Sequence, residues 1–176
     1  MRIFLIGFMG CGKSFIGQKL AQLAGLPFYD LDAYIESMTG MPIPQLFAQH
    51  GEPHFRALGQ QYLHHFAQLN AFVLSCGGGT PCFYDNIDWI NAQGISVYLN
   101  CPPELLSTRL QTQRAGRPLL ASLSDAELLA FITQKLSERA PYYEQAHIRF
   151  AVQANDDFTP QLLGQIQAYA HHLHRP

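Results

Sequence analysis

The sequence predicts an α/β fold in which a five-stranded, mostly parallel sheet is flanked by helices on both faces. Short apolar runs, each about one strand long, alternate with longer segments of helical periodicity. These runs are continuously apolar, as expected of strands that are covered on both sides. Proline and glycine separate the segments, for example at Pro27 and Gly40, where helices are predicted to end.

The predicted elements follow one another in alternating order. Strands are predicted at residues 2–6, 28–30, 72–75, 95–99 and 148–152. Helices are predicted at residues 13–24, 32–39, 43–49, 53–69, 86–92, 103–112, 125–144 and 160–172. Ser124, followed by Glu127, is a helix start signal. Because 176 residues with 48% hydrophobic content suffice for one core but are short for two, we expect a single domain over residues 1–176.

Composition and charge exclude several classes of function. The net charge is -2 and no basic run is present, so a nucleic-acid partner is not expected. The first apolar stretch, residues 3–9, is too short for a membrane span and runs into glycines, so we expect a soluble cytoplasmic protein without a membrane partner.

The four cysteines are irregularly spaced and are expected to be mostly buried, free thiols. Histidines 171, 172 and 174 are interpreted as a solvated helix end, with a metal site as the alternative.

Residues 7–14, GFMGCGKS, match the pattern G-x-x-x-x-G-K-[ST] completely, between a predicted strand and a predicted helix. Backbone N–H groups of such a loop surround phosphates, and the helix directs the positive end of its dipole at them. Lys13 is expected to reach the β- and γ-phosphate oxygens, and Ser14 to ligate magnesium. The sequence therefore predicts a site for an ATP-type nucleotide. The lack of an N-K-x-D sequence weakens a GTPase interpretation, and the short chain weakens a motor interpretation.

Asp30 and Asp32 stand two residues apart where the second predicted strand ends. An extended backbone points both carboxylates to one side, and ligands of open α/β sheets bind beyond the carboxyl ends of the strands. One carboxylate is expected to support magnesium and the other to accept the proton of an attacking hydroxyl. A helix N-cap is the alternative for Asp32, but capping explains only one of the two aspartates.

Two other segments allow two interpretations each. The triple glycine at residues 77–79 follows the third predicted strand, where it either lets a ligand approach the backbone or forms a plain turn. Ser75, just before it, could hold a magnesium-bound water. Residues 113–122 form either a connector or the mobile lid of a phosphate enzyme.

Arginine outnumbers lysine eight to three, and guanidinium groups bind carboxylates and phosphates in a bidentate manner. Arg56 lies at a predicted helix start, where the helix dipole disfavours a cation, so either a ligand or solvent is its partner. Arg139 lies near a helix end, where a cation needs no ligand.

Taken together, these features resemble the shikimate kinase family from about residue 3 to about residue 147. Besides the phosphate loop, the matching motifs are FYDLD at 28–32, GEPHFR at 51–56, GGG at 77–79, RPLL at 117–120 and RAPYY at 139–143. The resemblance implies a P-loop kinase fold with a mobile lid at about residues 112–124 and a substrate-binding segment at about 32–60. It also implies transfer of the γ-phosphoryl group of ATP to the 3-hydroxyl of shikimate, a step of aromatic amino-acid biosynthesis.

The resemblance further implies a role for each matched residue. Asp32 would deprotonate the hydroxyl, with Lys13 and Arg117 as the other catalytic residues. ATP would be bound by Gly10, Cys11, Gly12, Lys13, Ser14, Phe15, Arg109 and Arg117. Shikimate would be bound by Asp32, Arg56, Gly78, Gly79, Arg139, Phe47 and Phe55. Magnesium would be held by Ser14 and Asp30. We expect a monomer whose partners are the two substrates.

The chain departs from the family pattern at two places. The family commonly has a glutamate where this chain has Gly59, and its absence leaves Arg56 without the expected anchor. Residues 153–157 are acidic, amide or alanine where relatives often place an arginine beside the adenine. The alternatives are another P-loop kinase, acting on gluconate or a nucleoside monophosphate, and an inactive nucleotide-binding module that senses metabolites or contacts a partner protein.

Overall fold

The computed structural model describes residues 1–112, 120, 123–154 and 157–173. Within these residues the strands are β1 (Arg2–Ile6), β2 (Phe28–Asp30), β3 (Phe72–Ser75), β4 (Ile95–Asn100) and β5 (Ile148–Ala151). The helices are α1 (Lys13–Ala24), α2 (Leu31–Thr39), α3 (Ile43–His65), α4 (Asn86–Gln93), α5 (Pro103–Gln111), α6 (Asp125–Tyr143) and α7 (Thr159–Leu173). The strands form one parallel sheet in the order β2-β3-β1-β4-β5. The predicted fold class is confirmed.

The central strands β1, β3 and β4 are buried on both faces, which explains why they are mostly apolar. The edge strands β2 and β5 are more exposed. On β1, Ile3 and Leu5 face a core layer formed with α1, α5, α6 and α7. Phe4 and Ile6 face the opposite layer, formed with α2, α3 and α4. All four side chains are fully buried.

Helix α1 lies very close to the sheet, and this contact positions the loop that precedes it. A Cβ atom at Gly17 would lie 2.5 Å from the Phe28 ring and 3.1 Å from Leu5 Cδ1. Only glycine allows this approach, because such distances are shorter than van der Waals contact. The N-terminus of α1 therefore lies at the carboxyl edge of β1 and β2.

Most predicted element bounds agree with the structure to within one residue. The two helices predicted on either side of Gly51 form the single element α3, in which Gly51 departs from helical geometry with φ 76° and ψ 172°. Helix α3 ends at His65 and a 3₁₀ turn follows at Phe66–Gln68, so the predicted extension to residue 69 is wrong. The predicted start of α6 is confirmed, since Ser124 and Glu127 form a reciprocal capping box.

The cysteines are free thiols, as predicted, and Cys11, Cys76 and Cys101 are buried. Within the part of the chain that the structure describes, no helix combines the length and the apolar character that crossing a membrane requires.

Candidate active site

The loop between β1 and α1 turns sharply through glycines. Gly7, Gly10 and Gly12 have φ values of 140°, 80° and 96°, which side chains rarely adopt. A Cβ atom at Gly10 would lie 2.9 Å from Leu110 Cγ on α5. The loop therefore requires glycine both for its backbone angles and for the space beneath α5.

Lys13, the first residue of α1, lies inside the curve of this loop. Its side chain is only 8% exposed, and its Nζ donates to the carbonyl oxygens of Gly7 at 2.8 Å and Phe8 at 2.9 Å. Cys11 Sγ is 3.7 Å from the same Nζ. The ammonium group is thus held in the concave side of the loop, where phosphate oxygens would be attracted by its charge.

A group of oxygen atoms lies beside the start of α1. Ser14 Oγ donates to Asp30 Oδ2 at 2.5 Å and lies 3.4 Å from Ser75 Oγ. Hydroxyl and carboxylate oxygens are the hard ligands that magnesium prefers, so these residues fit that ion. Among the described residues, no three His, Cys, Asp or Glu side chains cluster as a metal site. A magnesium ion that is bound together with phosphates needs few protein ligands, because phosphate oxygens and waters complete its coordination.

Asp30, and not Asp32, caps helix α2. Asp30 Oδ1 accepts from the backbone N–H groups of Asp32 at 3.1 Å and Ala33 at 3.3 Å. Asp30 takes this role because its own backbone is extended, with φ -117° and ψ 123°, directly before the first helical residue. The capping interpretation of Asp32 is wrong, and its carboxylate is left for another purpose.

Asp32 and Lys13 line the same cleft of about 220 Å³, together with Ser75 and residues 76–78. Within the described part of the chain, no hydrogen bond engages the Asp32 carboxylate. Burial, and secondarily the negative charge of Asp30, raises the pKa of Asp32 above its ordinary value of 3.8, although Lys13 and Arg56 act in the opposite direction. A raised pKa makes this carboxylate a stronger base than an exposed aspartate.

Two arginines that lie far apart in the sequence meet at the triple-glycine loop. Arg139 Nη1 donates to the carbonyl oxygen of Gly78 at 3.3 Å, and its guanidinium lies over the Phe8 ring at 5.3 Å. A Cβ atom at Gly79 would lie only 2.6 Å from Arg56 Nη1. The loop after β3 therefore brings two cations to one side of the cleft.

Arg56 has an anchor that the sequence analysis did not assign. Its Nε and Nη2 donate to Oε1 of Glu52 at 3.0 and 2.6 Å. The expectation that Gly59 leaves this arginine without an anchor is therefore wrong, since Glu52 provides one. Phe47 and Phe55 pack together nearby, with ring centroids 4.7 Å apart.

A second cavity, of about 550 Å³, continues from the glycine loop towards the N-terminus of α7. It is lined by Gly10, Gly12, Phe15, Ile16, Lys19, Arg109, Gln153, Ala154, Asp157, Phe158 and Thr159. Arg109 Nη1 lies 3.4 Å from the Gly10 carbonyl oxygen and 3.3 Å from that of Cys11. The Phe15 side chain is 65% exposed. In place of an arginine on the α7 side, Asp157 forms an ion pair with Lys19 at 3.0 Å.

Some predicted site residues lie outside the described residues. These are Arg117, most of the proposed lid, and Asn155 and Asp156 beside the second cavity. Their roles stay predictions.

The shikimate kinase family model matches residues 9–167. The chain belongs to the shikimate kinase family. It is 45% identical to a shikimate kinase from Parabacteroides distasonis over 149 residues, which cover 85% of this chain and 86% of that protein.

Two solved structures of the family superpose on nearly the whole chain. A shikimate kinase from Bacteroides thetaiotaomicron gives a TM-score of 0.89 at 39% identity, covering 97% of this chain and 98% of the other. A shikimate kinase from Acinetobacter baumannii, solved in complex with shikimate, gives a TM-score of 0.82 at 33% identity. The match covers 99% of this chain and 95% of the other.

For this shikimate kinase family member, sequence reasoning missed four residues that shape the site. Tyr143 Oη donates to the Gly78 carbonyl oxygen at 2.5 Å and fixes the triple-glycine loop. A Cβ atom at Gly77 would lie 2.7 Å from Asp32 Oδ1, so this glycine makes room for the carboxylate. Glu52 and Phe83 contact Arg56. Glu52, Gly77 and Tyr143 lie in the matched motifs at 51–56, 77–79 and 139–143, and the i,i+4 spacing of Glu52 and Arg56 was a further signal.

In this family member, the raised pKa of Asp32 predicts a stability change for Asp32→Asn. A carboxyl group whose pKa is raised by folding contributes stability below its unfolded value of 3.8 and loses it as the pH rises through the folded value. Because asparagine does not ionise, we expect the variant to melt about 2–4 °C above the wild type near pH 7.5. For a chain of this size, that shift corresponds to an increase of about 1 kcal/mol in the free energy of unfolding. Calorimetry at several pH values should show the difference shrinking towards pH 4, and a lower melting temperature of the variant at neutral pH would contradict the assignment.

The close approach of Gly79 to Arg56 predicts a change in substrate affinity for Gly79→Ala. The added methyl would push the Arg56 guanidinium aside, since the far end of a side chain yields more easily than the backbone. We expect the KM for shikimate to rise about 10-fold with the KM for ATP unchanged. Steady-state kinetics would test this, with Gly164→Ala as the control, because a Cβ atom there meets nothing within 4 Å. Equal KM values in the two variants would contradict the prediction.

Proposed function

We propose that this chain transfers the γ-phosphoryl group of ATP to the 3-hydroxyl of shikimate, giving shikimate 3-phosphate and ADP, a step of aromatic amino-acid biosynthesis. Membership of the shikimate kinase family identifies an ATP-dependent kinase that acts on an alcohol group of shikimate. One arrangement of side chains supports the roles that we assign. Lys13 and Asp32 line one cleft, and Arg56 and Arg139 meet at the glycine loop of that cleft.

Asp32 is the general base of the proposed reaction. Its carboxylate takes the proton of the 3-hydroxyl while that oxygen forms a bond to the γ-phosphorus. The bond from the γ-phosphorus to the bridging oxygen breaks, and ADP leaves with the electron pair. The raised pKa of Asp32 supports this role, because its carboxylate accepts a proton more readily than an exposed aspartate does.

Lys13 and the surrounding backbone N–H groups hold the phosphates. The Lys13 ammonium group, which two loop carbonyls hold on the concave side of the loop, binds the β- and γ-phosphate oxygens. Gly10, Cys11 and Gly12 contribute backbone N–H groups, and helix α1 contributes the positive end of its dipole. Phe15 and Arg109, in the second cavity, contact the nucleoside part of ATP, where Arg109 flanks the adenine.

Ser14 and Asp30 would hold magnesium, with Ser75 holding a magnesium-bound water. When bound, this ion neutralises charge on the transferring phosphoryl group. The hydrogen bond between Ser14 and Asp30 keeps both oxygens on the phosphate side of the cleft.

Arg56 and Arg139 bind the carboxylate of shikimate, because paired guanidinium groups recognise that group strongly. Gly78 and Gly79 contribute backbone contacts to the hydroxyls, and Phe47 and Phe55 cover the apolar side of the ring. We assign the lid to residues 112–124 and the substrate-binding segment to residues 32–60 of a single domain. Arg117 of the lid would stabilise the transferring phosphoryl group.

A cytoplasmic, monomeric enzyme is part of the proposal, since both substrates are small and the site uses residues of one chain. A coupled ADP-release assay tests the function, with ATP, magnesium and one of several acceptors: shikimate, gluconate, a nucleoside monophosphate or none. ADP release with shikimate alone is the expected result. Release with another acceptor, or equally without one, would overturn the proposal.

A further inference from the structure

The guanidinium of Arg56 is held in place by contacts with other side chains of this chain. Its Nε and Nη2 both donate to Glu52 Oε1, at 3.0 and 2.6 Å. The Arg56 side chain is 15% exposed and that of Glu52 is 51% exposed. One edge of the guanidinium is therefore occupied by a carboxylate on the solvent side.

An aromatic ring covers one face of the same group. Arg56 Cζ lies 4.2 Å from the centroid of the Phe83 ring, closer than the 5.2 Å to its neighbour Phe55. Phe83 directly follows the short turn Thr80–Cys82, which begins one residue after Gly79, the last residue of the triple glycine. The segment that carries Gly79 thus also carries the ring that stacks on Arg56.

These contacts determine which N–H groups remain for a ligand. A guanidinium has five N–H groups, and Glu52 accepts from two of them. Nη1 and the second hydrogen of Nη2 remain, and they form the end-on edge that binds a carboxylate in a bidentate manner. Gly79 leaves space beside Nη1, because it has no side chain.

We propose that Glu52 and Phe83 are positioning residues that hold the end-on edge of Arg56 towards the carboxylate of the acceptor. The proposal rests on the function proposed above and adds how this chain orients Arg56 although it has Gly59 where the family commonly has a glutamate. Glu52 fixes the rotation of the guanidinium within its plane, and Phe83 fixes the tilt of that plane. Because Glu52 is about half exposed to solvent, its ion pair with Arg56 contributes little to stability, and the pair serves to orient the guanidinium.

Steady-state kinetics with Glu52→Gln and Phe83→Leu test the proposal. We expect the KM for shikimate to rise about 5- to 30-fold in each, with kcat and the KM for ATP within about twofold. Phe83→Tyr, which keeps the ring, should restore the wild-type KM. The control is Glu144→Gln, which removes another exposed Glu–Arg pair, 3.0 Å from Arg149. Unchanged KM for shikimate in both test variants, or parallel losses for both substrates, would overturn the proposal.

A second measurement separates this inference from the proposed function. The Arg56 Nε–H resonance, assigned by its loss in Arg56→Lys, is observed by ¹⁵N NMR in the protein without substrates. We expect it to shift in Glu52→Gln through the lost hydrogen bond and in Phe83→Leu through the lost ring current, but not in Glu144→Gln. A resonance that moves in neither test variant would overturn the positioning role. A wild-type protein that is inactive with shikimate would overturn the function alone.

Melting temperatures of all variants identify any loss of folding. Glu52→Gln, at an exposed site, keeps the test valid if Phe83→Leu unfolds.

Discussion

Replacing Asp32 with asparagine is expected to lower kcat with shikimate by about 10²–10⁴-fold while leaving ATP binding nearly unchanged. Asparagine keeps the size of the side chain beside Gly77 but cannot accept the proton of the attacking hydroxyl. The loss should appear in kcat because the proton moves in the transition state, whereas substrate binding depends on Arg56 and Arg139.

The measurement for Asp32→Asn combines an ADP-release assay with calorimetric titration of a non-hydrolysable ATP analogue in magnesium. We expect the Kd for the analogue to change by less than about threefold, since Lys13 and the glycine loop remain intact. Asp88→Asn is the matched control, because Asp88 is an exposed aspartate in the first turn of α4. Unaltered turnover in Asp32→Asn would remove Asp32 as the base.

The pH dependence of the wild-type enzyme offers a check on the same residue. Turnover requires the Asp32 carboxylate, so activity falls as the pH drops through its pKa. Because burial raises that pKa above 3.8, the acid limb of kcat/KM should lie at a higher pH than for an exposed aspartate.

The central strands β1, β3 and β4 were predictable from the sequence because burial on both faces makes them mostly apolar. The phosphate loop was predictable because its function depends on local backbone angles at Gly7, Gly10 and Gly12. The interruption of α3 at Gly51 was recognised, but it was predicted to separate two helices, whereas the structure has one element. Gly51 takes a positive φ and Pro53 lacks a backbone donor, yet helical structure continues on both sides.

Contacts between distant segments were less predictable. The meeting of Arg56 and Arg139 at the glycine loop depends on how α3 and the C-terminal end of α6 are placed in the fold. The body of α6 packs in the opposite layer from α3, and only its end, at Tyr143, reaches the layer of α3. No local pattern encodes this placement. The same is true of Tyr143, whose hydroxyl reaches the Gly78 carbonyl oxygen. Capping by Asp32 was only the alternative to its catalytic role, and the structure shows that Asp30 is the cap of α2. Spacing alone could not show at which residue this helix begins.

Replacing Lys13 with alanine is expected to lower kcat by about 10²–10³-fold and to weaken ATP binding at the same time. Lys13 supplies a buried positive charge inside the glycine loop, and that charge interacts with the phosphates both before and during transfer. Kinetics and nucleotide titration should therefore change together, in contrast to Asp32→Asn. Lys135→Ala is the control, since Lys135 pairs with exposed Glu138 at 2.6 Å, away from the glycine loop. Full activity in Lys13→Ala would contradict the phosphate-binding role of the loop, whereas intact ATP binding with lost turnover would restrict Lys13 to the transition state.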